Sequence, residues 1–282
     1  MLSMVLSSTK DIVGDVESAG GPAFYSSLAL SFLGLDDFTV ITNRGVTYGL
    51  LNKLGINLIP AGSSETVFKI EINGHRLLKL IKQGSIELAK VAEHLSDDIV
   101  ISLTFHEVPL RVIKELSRGR RVVVDVQGFV RSSDSDGLIL NNYELLTELA
   151  KLDCSELVLR GEYYEFPPKC RGVKVFDCVS EFKASLIITD GSGPTYYSTI
   201  DGDSGMIQPP QLIHGNTLGT GDVFTAVFAY EYLLLDKGFE EAVATATAAA
   251  SLRVRDSRPW YTFSEVMSLS GRLLRSCRRI AY

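Results

Sequence analysis

The sequence predicts an α/β fold, a mainly parallel sheet covered by helices, and three observations carry that prediction. First, short β-branched runs recur that are almost continuously apolar: "FTVIT" (38–42), "DIVISLT" (98–104), "RVVVDV" (121–126), "SELVLR" (155–160) and "SLIITD" (185–190). Strands buried on both faces have this composition. Second, helical patterns fall between them, at 22–33, 46–54, 85–95, 109–118 and 142–152. Alternation of the two is the signature of a parallel sheet with helical crossovers. Third, no Pro/Gly/Ser linker, internal repeat or low-complexity tract divides the 282 residues, so a single domain spanning 1–282 is expected. From 222 onward the chain reads as mostly helical.

Composition narrows the function classes. The 45% hydrophobic and 22% charged residues are ordinary for a soluble globular protein. A net charge of −6 and a pI near 5.3 leave no footprint for nucleic acid or an anionic membrane. No apolar run has the length of a membrane span. The opening "MLSMVLSSTKD" lacks the basic start and long apolar core of a signal peptide. The four cysteines, Cys154, Cys170, Cys178 and Cys277, form no CxxC pair. Neither a zinc site nor a disulfide framework is expected from them, and the expected location is the reducing cytoplasm.

One segment interrupts the alternation. "ETVFKIEINGHRLLKL" (65–80) places Phe68, Ile70 and Ile72 at period two, then Asn73-Gly74, then a second extended run. Asn-Gly between two such runs is a strong hairpin signal. The hairpin either finishes the sheet at the surface or forms a flap over a ligand.

The chemistry is concentrated in "HGNTLGTGDVFTAVFAYEYLL" (214–234), where small and hydroxyl residues precede an acid and a long apolar helix. The first amides of a helix have no internal partners, and with the helix dipole they attract anions. Gly219 and Gly221 let backbone approach a ligand without an intervening Cβ, so 217–222 is expected to cradle phosphate oxygens. The lysine of a Walker A loop is missing. There is no G-x-G-x-x-G after the first strand, which argues against a dinucleotide-dependent oxidoreductase. Asp222 has two readings: a cap for its helix, or the base that activates a hydroxyl attacking the phosphoryl group held by the amides.

"NTLGTGD" (216–222) resembles the D-T-x-G-A-G-D signature of the ribokinase-like (PfkB) sugar kinases. Other segments agree in order over about 4–255. "AGGPAFYSSLALSFLG" (19–34) looks like the family's early Gly-Gly motif, with Pro22 at a first helical position. "MVLSSTKDIV" (4–13) is similar to a shortened first strand followed by the substrate-binding acid, here Asp11. "LIITDGSGPTYYS" (186–198) is similar to the strand and turn that approach the nucleotide, and the hairpin falls where the family carries its lid. "VVVDVQGFVR" (122–131) looks most like the D-x-Q-x-x-x-R stretch of the myo-inositol kinase branch. Two departures stand out, Asn216 for the usual Asp and Thr220 for Ala, and neither removes a backbone amide.

The resemblance implies a three-layer α/β/α sandwich of the ribokinase type with a small β lid. It implies ATP-dependent, Mg²⁺-dependent phosphorylation of a hydroxyl on a polyol, cyclitol or sugar, myo-inositol first and a furanose sugar or nucleoside second. A non-catalytic sensor on the same fold is the rival from another class. Asp222 would be the base, with the amides of Gly219, Thr220 and Gly221 as the anion hole. Asp11, Gly20, Gly21, Asn43, Gln127 and Arg131 would meet the acceptor, although Asp11, Asn43, Gln127 and Arg131 also read as ordinary turn or surface residues. Thr189, Gly191, Ser192 and Thr217 would lie along the nucleotide. The N-x-x-E motif that organises Mg²⁺ through water has two candidates. Glu165 follows the 155–160 strand, and Glu144 completes the literal "NNYE". His106 and His214 have no nucleophile to serve. A homodimer through the lid strands is a further expectation, with no nucleic-acid or membrane partner.

Overall fold

The computed structural model describes residues 1–73, 75–211, 215–255 and 259–280, with the side chains of 72–76 outside that description. His214 therefore lies outside the described residues.

The chain opens with β1 (Leu2–Leu6), which becomes a central strand of the large sheet, then β2 (Thr9–Val13), β3 (Val16–Gly20) and α1 (Gly21–Phe32). β4 (Phe38–Thr42), α2 (Val46–Lys53) and β5 (Leu58–Pro60) follow, then the hairpin strands β6 (Thr66–Asn73) and β7 (His75–Lys82). The parallel core continues through β8 (Asp98–Ser102), α3 (Leu110–Leu116) and β9 (Arg121–Asp125). A short helix α4 (Gln127–Val130), a ribbon of β10 (Arg131–Ser133) and β11 (Ile139–Asn141), and α5 (Glu144–Leu149) lead to β12 (Glu156–Glu162). After α6 (Val175–Phe182) come β13 (Ser185–Thr189), β14 (Thr195–Ser198) and β15 (Ser204–Ile207). The C-terminal part is α7 (Thr220–Ala229), α8 (Phe239–Arg253), α9 (Phe263–Arg275) and β16 (Arg278–Arg279).

The large sheet runs β16-β15-β14-β13-β12-β9-β8-β1-β4-β5, parallel from β13 to β5 and antiparallel beyond β13. Successive residues of its strands feed two separate apolar layers. Met4, Val40, Val100, Val123, Val158 and Ile187 pack with α1, α7, α8 and α9 on one face. Val5, Ile41, Ile101, Val124, Leu159 and Ile188 pack with the helices on the other. Burial on both faces is why the strands are apolar at every position rather than at alternate ones. The arrangement is the expected three-layer α/β/α sandwich with a mainly parallel sheet.

The segment 65–80 does form a hairpin, with Phe68↔Leu80 and Ile70↔Leu78 in register. It does not finish the large sheet. It joins β2 and β3 in a second sheet of order β3-β2-β6-β7, with β2 and β6 parallel. The hairpin is tied down at its base, where Thr66 Oγ1 donates to the buried carboxylate of Glu107 (2.6 Å) and accepts from Gly84 N (3.0 Å).

Two expectations are corrected. The helix expected at 85–95 is only a 3₁₀ segment, Leu88–His94, broken at Val91 (φ −127°, ψ 19°). The N–H of Glu87 is taken by Ala61 O, so the chain there is fastened to the β5 exit loop rather than wound on itself. The cysteines also differ from expectation, since Cys170 and Cys178 are disulfide-bonded with Cα atoms 5.7 Å apart. A turn at Pro168–Cys170 and the start of α6 fold back on each other, bringing together residues too far apart for a CxxC pattern. Cys154 and Cys277 are free thiols.

Candidate active site

The ends of β9 and β12, the first turns of α1, α4 and α7, and strands of the small sheet surround one cleft of ≈ 130 Å³. Strand ends of an open parallel sheet are where ligands collect.

The cleft's floor is organised by Asp125, which is 1% exposed at the end of β9. Its Oδ2 accepts from Arg160 Nη1 (2.9 Å) on the neighbouring β12 and from Thr225 Oγ1 (2.8 Å) on α7. Its Oδ1 accepts from Gln127 N (3.1 Å) at the start of α4. Gln127 Oε1 in turn accepts from Arg131 Nη2 (2.6 Å), and Arg131 Nη1 donates to Thr104 O (3.3 Å). His106 Nε2 holds the Arg131 carbonyl at 2.6 Å, a structural task for that histidine. One carboxylate thus fixes three elements, and Asp125, Gln127 and Arg131 of the "DVQGFVR" stretch form a connected chain.

Gly219 is the N-cap of α7, in the left-handed region at φ +78°, with no side-chain cap. Asp222 is the third helical residue and not the cap. It is half-buried, and Ser26 Oγ donates to its carbonyl (3.2 Å), joining α7 to α1. Burial, then the nearby Asp125 charge, pushes its carboxyl up to about 8, with Arg160 and Arg131 pulling the other way. A carboxyl shifted toward neutrality at a strand-end cleft suits proton transfer near neutral pH.

The two glycines have protein-side causes as well. A Cβ on Gly219 would stand 2.2–2.5 Å from the ring of Tyr25, and one on Gly221 would stand 2.8 Å from Arg160 Nη1. The amide of Thr220 donates back to Thr217 O (3.3 Å), as does its hydroxyl (3.0 Å). Helix geometry leaves the amides of Gly221 and Asp222 without intrahelical carbonyls.

Asp11 lies across the cleft on β2, 6% exposed, accepting from Thr9 Oγ1 (2.9 Å). Gly20 makes room for it, since a Cβ there would meet Asp11 Oδ2 at 2.3 Å. Gly21 (φ +78°) lets α1 start beside Ser7 O. Tyr25 is pushed up to about 12 by burial and then by Asp11.

Of the expected site residues, the cleft brings together Asp11, Gly21, Gln127, Arg131, Thr217, Gly219, Gly221 and Asp222. Others stand outside its lining. Asn43 is fully buried and committed to the protein, its Oδ1 accepting from Ser8 N (2.8 Å) and its Nδ2 donating to Ser64 O (2.7 Å). Thr189 accepts from Arg160 Nη2 (2.7 Å) behind the cleft. Gly191 and Ser192 sit in an exposed turn. Glu144 is exposed on α5. Glu165 is 8% exposed, and its carboxylate accepts the N–H of Glu162 (2.8 Å) in a reciprocal capping box. Burial and the Asp125 and Glu162 charges push it up to about 7. Among the described residues no group of three or more His, Cys, Asp or Glu could hold an ion. Sequence reasoning missed Tyr25 and Arg160 on the cleft, while Phe68 and Leu78 of the expected flap and Glu162 of the expected metal motif do line it. Arg160 did leave a signal, a lone cation ending the apolar run "LVLR".

The sequence pattern of the "pfkB family carbohydrate kinase" matches residues 173–261. No curated protein matches the sequence. Among solved structures, the fold is shared with a "pyrophosphate-dependent kinase in the ribokinase family complexed with a pyrophosphate analog and myo-inositol" (TM-score 0.74, 18% identity, 95% of this chain and 100% of that one). It is also shared with a pyrophosphate-dependent myo-inositol-1 kinase converted by substitution into a myo-inositol-3 kinase (TM-score 0.74, 20% identity, 97% and 100%). Ribokinase from Thermotoga maritima follows at TM-score 0.66 and 20% identity, covering 95% and 98%. These likenesses show a ribokinase-type fold. The family likeness thus covers the C-terminal third of the chain by sequence, residues 173–261, and nearly the whole chain by fold.

These findings correct the expected donor. ATP, and with it ATP-dependent transfer, is withdrawn, because three solved structures of like fold at TM-scores of 0.73–0.74 are of pyrophosphate-dependent kinases. The positions expected along a nucleotide, Thr189, Gly191 and Ser192, also lie off the cleft.

Proposed function

We propose that this chain transfers a phosphoryl group from pyrophosphate to a hydroxyl of a cyclitol, with myo-inositol as the first acceptor. The observation that carries the reading is that Asp222, at the amide end of α7, and Asp11, on the small sheet, face one cleft. Asp11 accepts hydrogen bonds from hydroxyls that do not react. Asp222 takes the proton of the one that does. The new O–P bond forms as the bridging P–O bond of pyrophosphate breaks, and inorganic phosphate leaves. The amides of Gly221 and Asp222 hold charge on the transferred group. The pyrophosphate donor comes from the shared fold with pyrophosphate-dependent kinases.

In this reading residues 1–282 form one kinase domain, and the hairpin at about 65–80 is its lid, excluding water that would compete with the alcohol. Phe68 and Leu78 on the cleft support that role. The outer edge of β3 in the same small sheet is the surface for a homodimer through lid strands, since β7 is bridged to the 134–141 ribbon, Leu80 N–H donating to Gly137 O (2.8 Å).

The test is a donor and acceptor panel on the purified protein, following phosphate release and phosphate-monoester formation by ³¹P NMR. Pyrophosphate with myo-inositol should give a monoester and ATP should give far less. No monoester from pyrophosphate with any polyol would sink the reading.

A further inference from the structure

We propose that Arg160 is a phosphoryl-contacting residue, its guanidinium rising through the gap left by Gly221 to hold oxygens of the group in transfer. This rests on the phosphotransferase reading above and adds a side chain to its backbone cradle.

The placement is specific. Arg160 pairs in register with Asp125 across β12 and β9, and it lines the cleft. Its Nη1 and Nη2 lie 2.8 and 3.1 Å from where a Cβ on Gly221 would be. Gly221 is the second residue of α7, so a side-chain cation stands against the positive end of a helix. That juxtaposition is unfavourable by itself, because helix N-termini repel cations. The side chain is also 4% exposed, and a buried charge needs its hydrogen bonds satisfied. Asp125 answers Nη1 and Thr189 answers Nη2, but among the described residues Nε has no hydrogen-bond partner. Asp125 itself is divided between Arg160, Thr225 and Gln127.

Asp125 is shared with Thr225 of α7, and the guanidinium lies over the Phe224 ring at 5.3 Å, so Arg160 is held against α7 from the protein side. An anion lying between the helix amides and the guanidinium would satisfy the dipole and the cation together. Phosphoryl oxygens match the planar fork of arginine, which binds them in two directions at once. Arg131, tethered through Gln127, adds a second cation on the same cleft.

The experiment measures binding of methylenediphosphonate and of inorganic phosphate by calorimetry, with kinetics beside it. The proteins are wild type, Arg160→Lys, and the double variant Arg160→Gln/Asp125→Asn, which leaves no orphaned charge. Arg160→Lys keeps the pairing charge but loses the fork, and should weaken anion binding about tenfold. The double variant should lose about a hundredfold in kcat while its KM for myo-inositol stays within about twofold. A folded double variant that keeps wild-type anion affinity would show that Arg160 serves only Asp125 and would overturn the proposal. If the double variant does not fold, unchanged anion affinity in Arg160→Lys overturns it instead. Wild type that binds phosphate but not the diphosphonate removes the pyrophosphate reading and leaves Arg160 judged on the phosphate arm. Wild type that binds neither removes both.

Discussion

Gly219 lies so close against the ring of Tyr25 that a Cβ there would stand 2.2 Å from Tyr25 Cγ. The N-terminus of α7 is thereby seated on an aromatic face of α1, and Tyr25 in turn stacks on Trp260 (6.1 Å, 25°). Gly219→Ala should fail twice. Its φ of +78° costs an L-residue about 1–2 kcal/mol, and the methyl would push α7 off Tyr25. A lower Tm and at least a roughly tenfold lower kcat are expected, the latter from misplacement of the amides. Unchanged melting and turnover would show that the contact does not set the helix position.

Asp222→Asn keeps the size of the side chain and removes the base. Because Gly219 is the N-cap, the helix does not depend on this carboxylate. A loss of roughly 10²–10⁴ in kcat is expected, with donor-analogue and acceptor binding retained. Steady-state kinetics beside calorimetry check it, and near-normal turnover would remove Asp222 as the base.

The raised Asp222 carboxyl has opposite consequences for rate and stability. Turnover needs the ionised form, so kcat/KM should climb with pH and level off above about 8. Stability runs the other way. The folded state holds this proton more tightly than the unfolded chain, so stability is full below the ordinary value of 3.8 and is lost as pH rises toward about 8. Glu165, pushed up to about 7, acts in the same direction. Urea melts of wild type and Asp222→Asn at pH 5 and pH 8.5 should show the gap between them widening at the higher pH. A constant gap would contradict the assignment.

Asp11→Ala should raise KM for the cyclitol and leave KM for pyrophosphate nearly unchanged. Unpaired hydroxyls in a buried site cost about 1–3 kcal/mol each, so a rise of about tenfold or more is expected. Equal weakening of both substrates would place Asp11 outside the acceptor site.

Cys170→Ser should lower the melting temperature of the oxidised protein. Chain-entropy arguments assign a loop this short about 2–3 kcal/mol, and both sulfurs lie in the apolar layer under the sheet. Wild type in reductant should melt near the variant. Identical curves for oxidised, reduced and Cys170→Ser protein would show that the bond contributes nothing.

The parallel core was legible because strands buried on both faces must be apolar throughout, and "RVVVDV" and "SLIITD" say so without any partner in view. "NTLGTGD" was legible because glycines and an acid at a helix start have few structural meanings. What could not be read were pairings between distant segments. Arg160 is 35 residues from Asp125 and 65 from Thr225 by sequence, and nothing local announces that they meet. Asn43 had the right residue type at a strand end, yet its amide is spent on Ser8 and Ser64. Glu165 sat at the anticipated strand edge, but "EYYE" also spells a capping box, and local capping took the carboxylate.

Asp11, Phe68 and Leu78 ride on the small sheet, whereas Asp125, Arg160 and Gln127 belong to the ends of the large one and the helix that leaves it. Under the proposed transfer reaction, recognition of the alcohol and handling of the phosphate fall to separate pieces of backbone. Substitutions in the small sheet can retune which ring, and which of its carbons, is offered to Asp222 without disturbing the charge network beneath. Under that reading, a change of acceptor takes a few substitutions in strand positions and leaves the transfer apparatus intact.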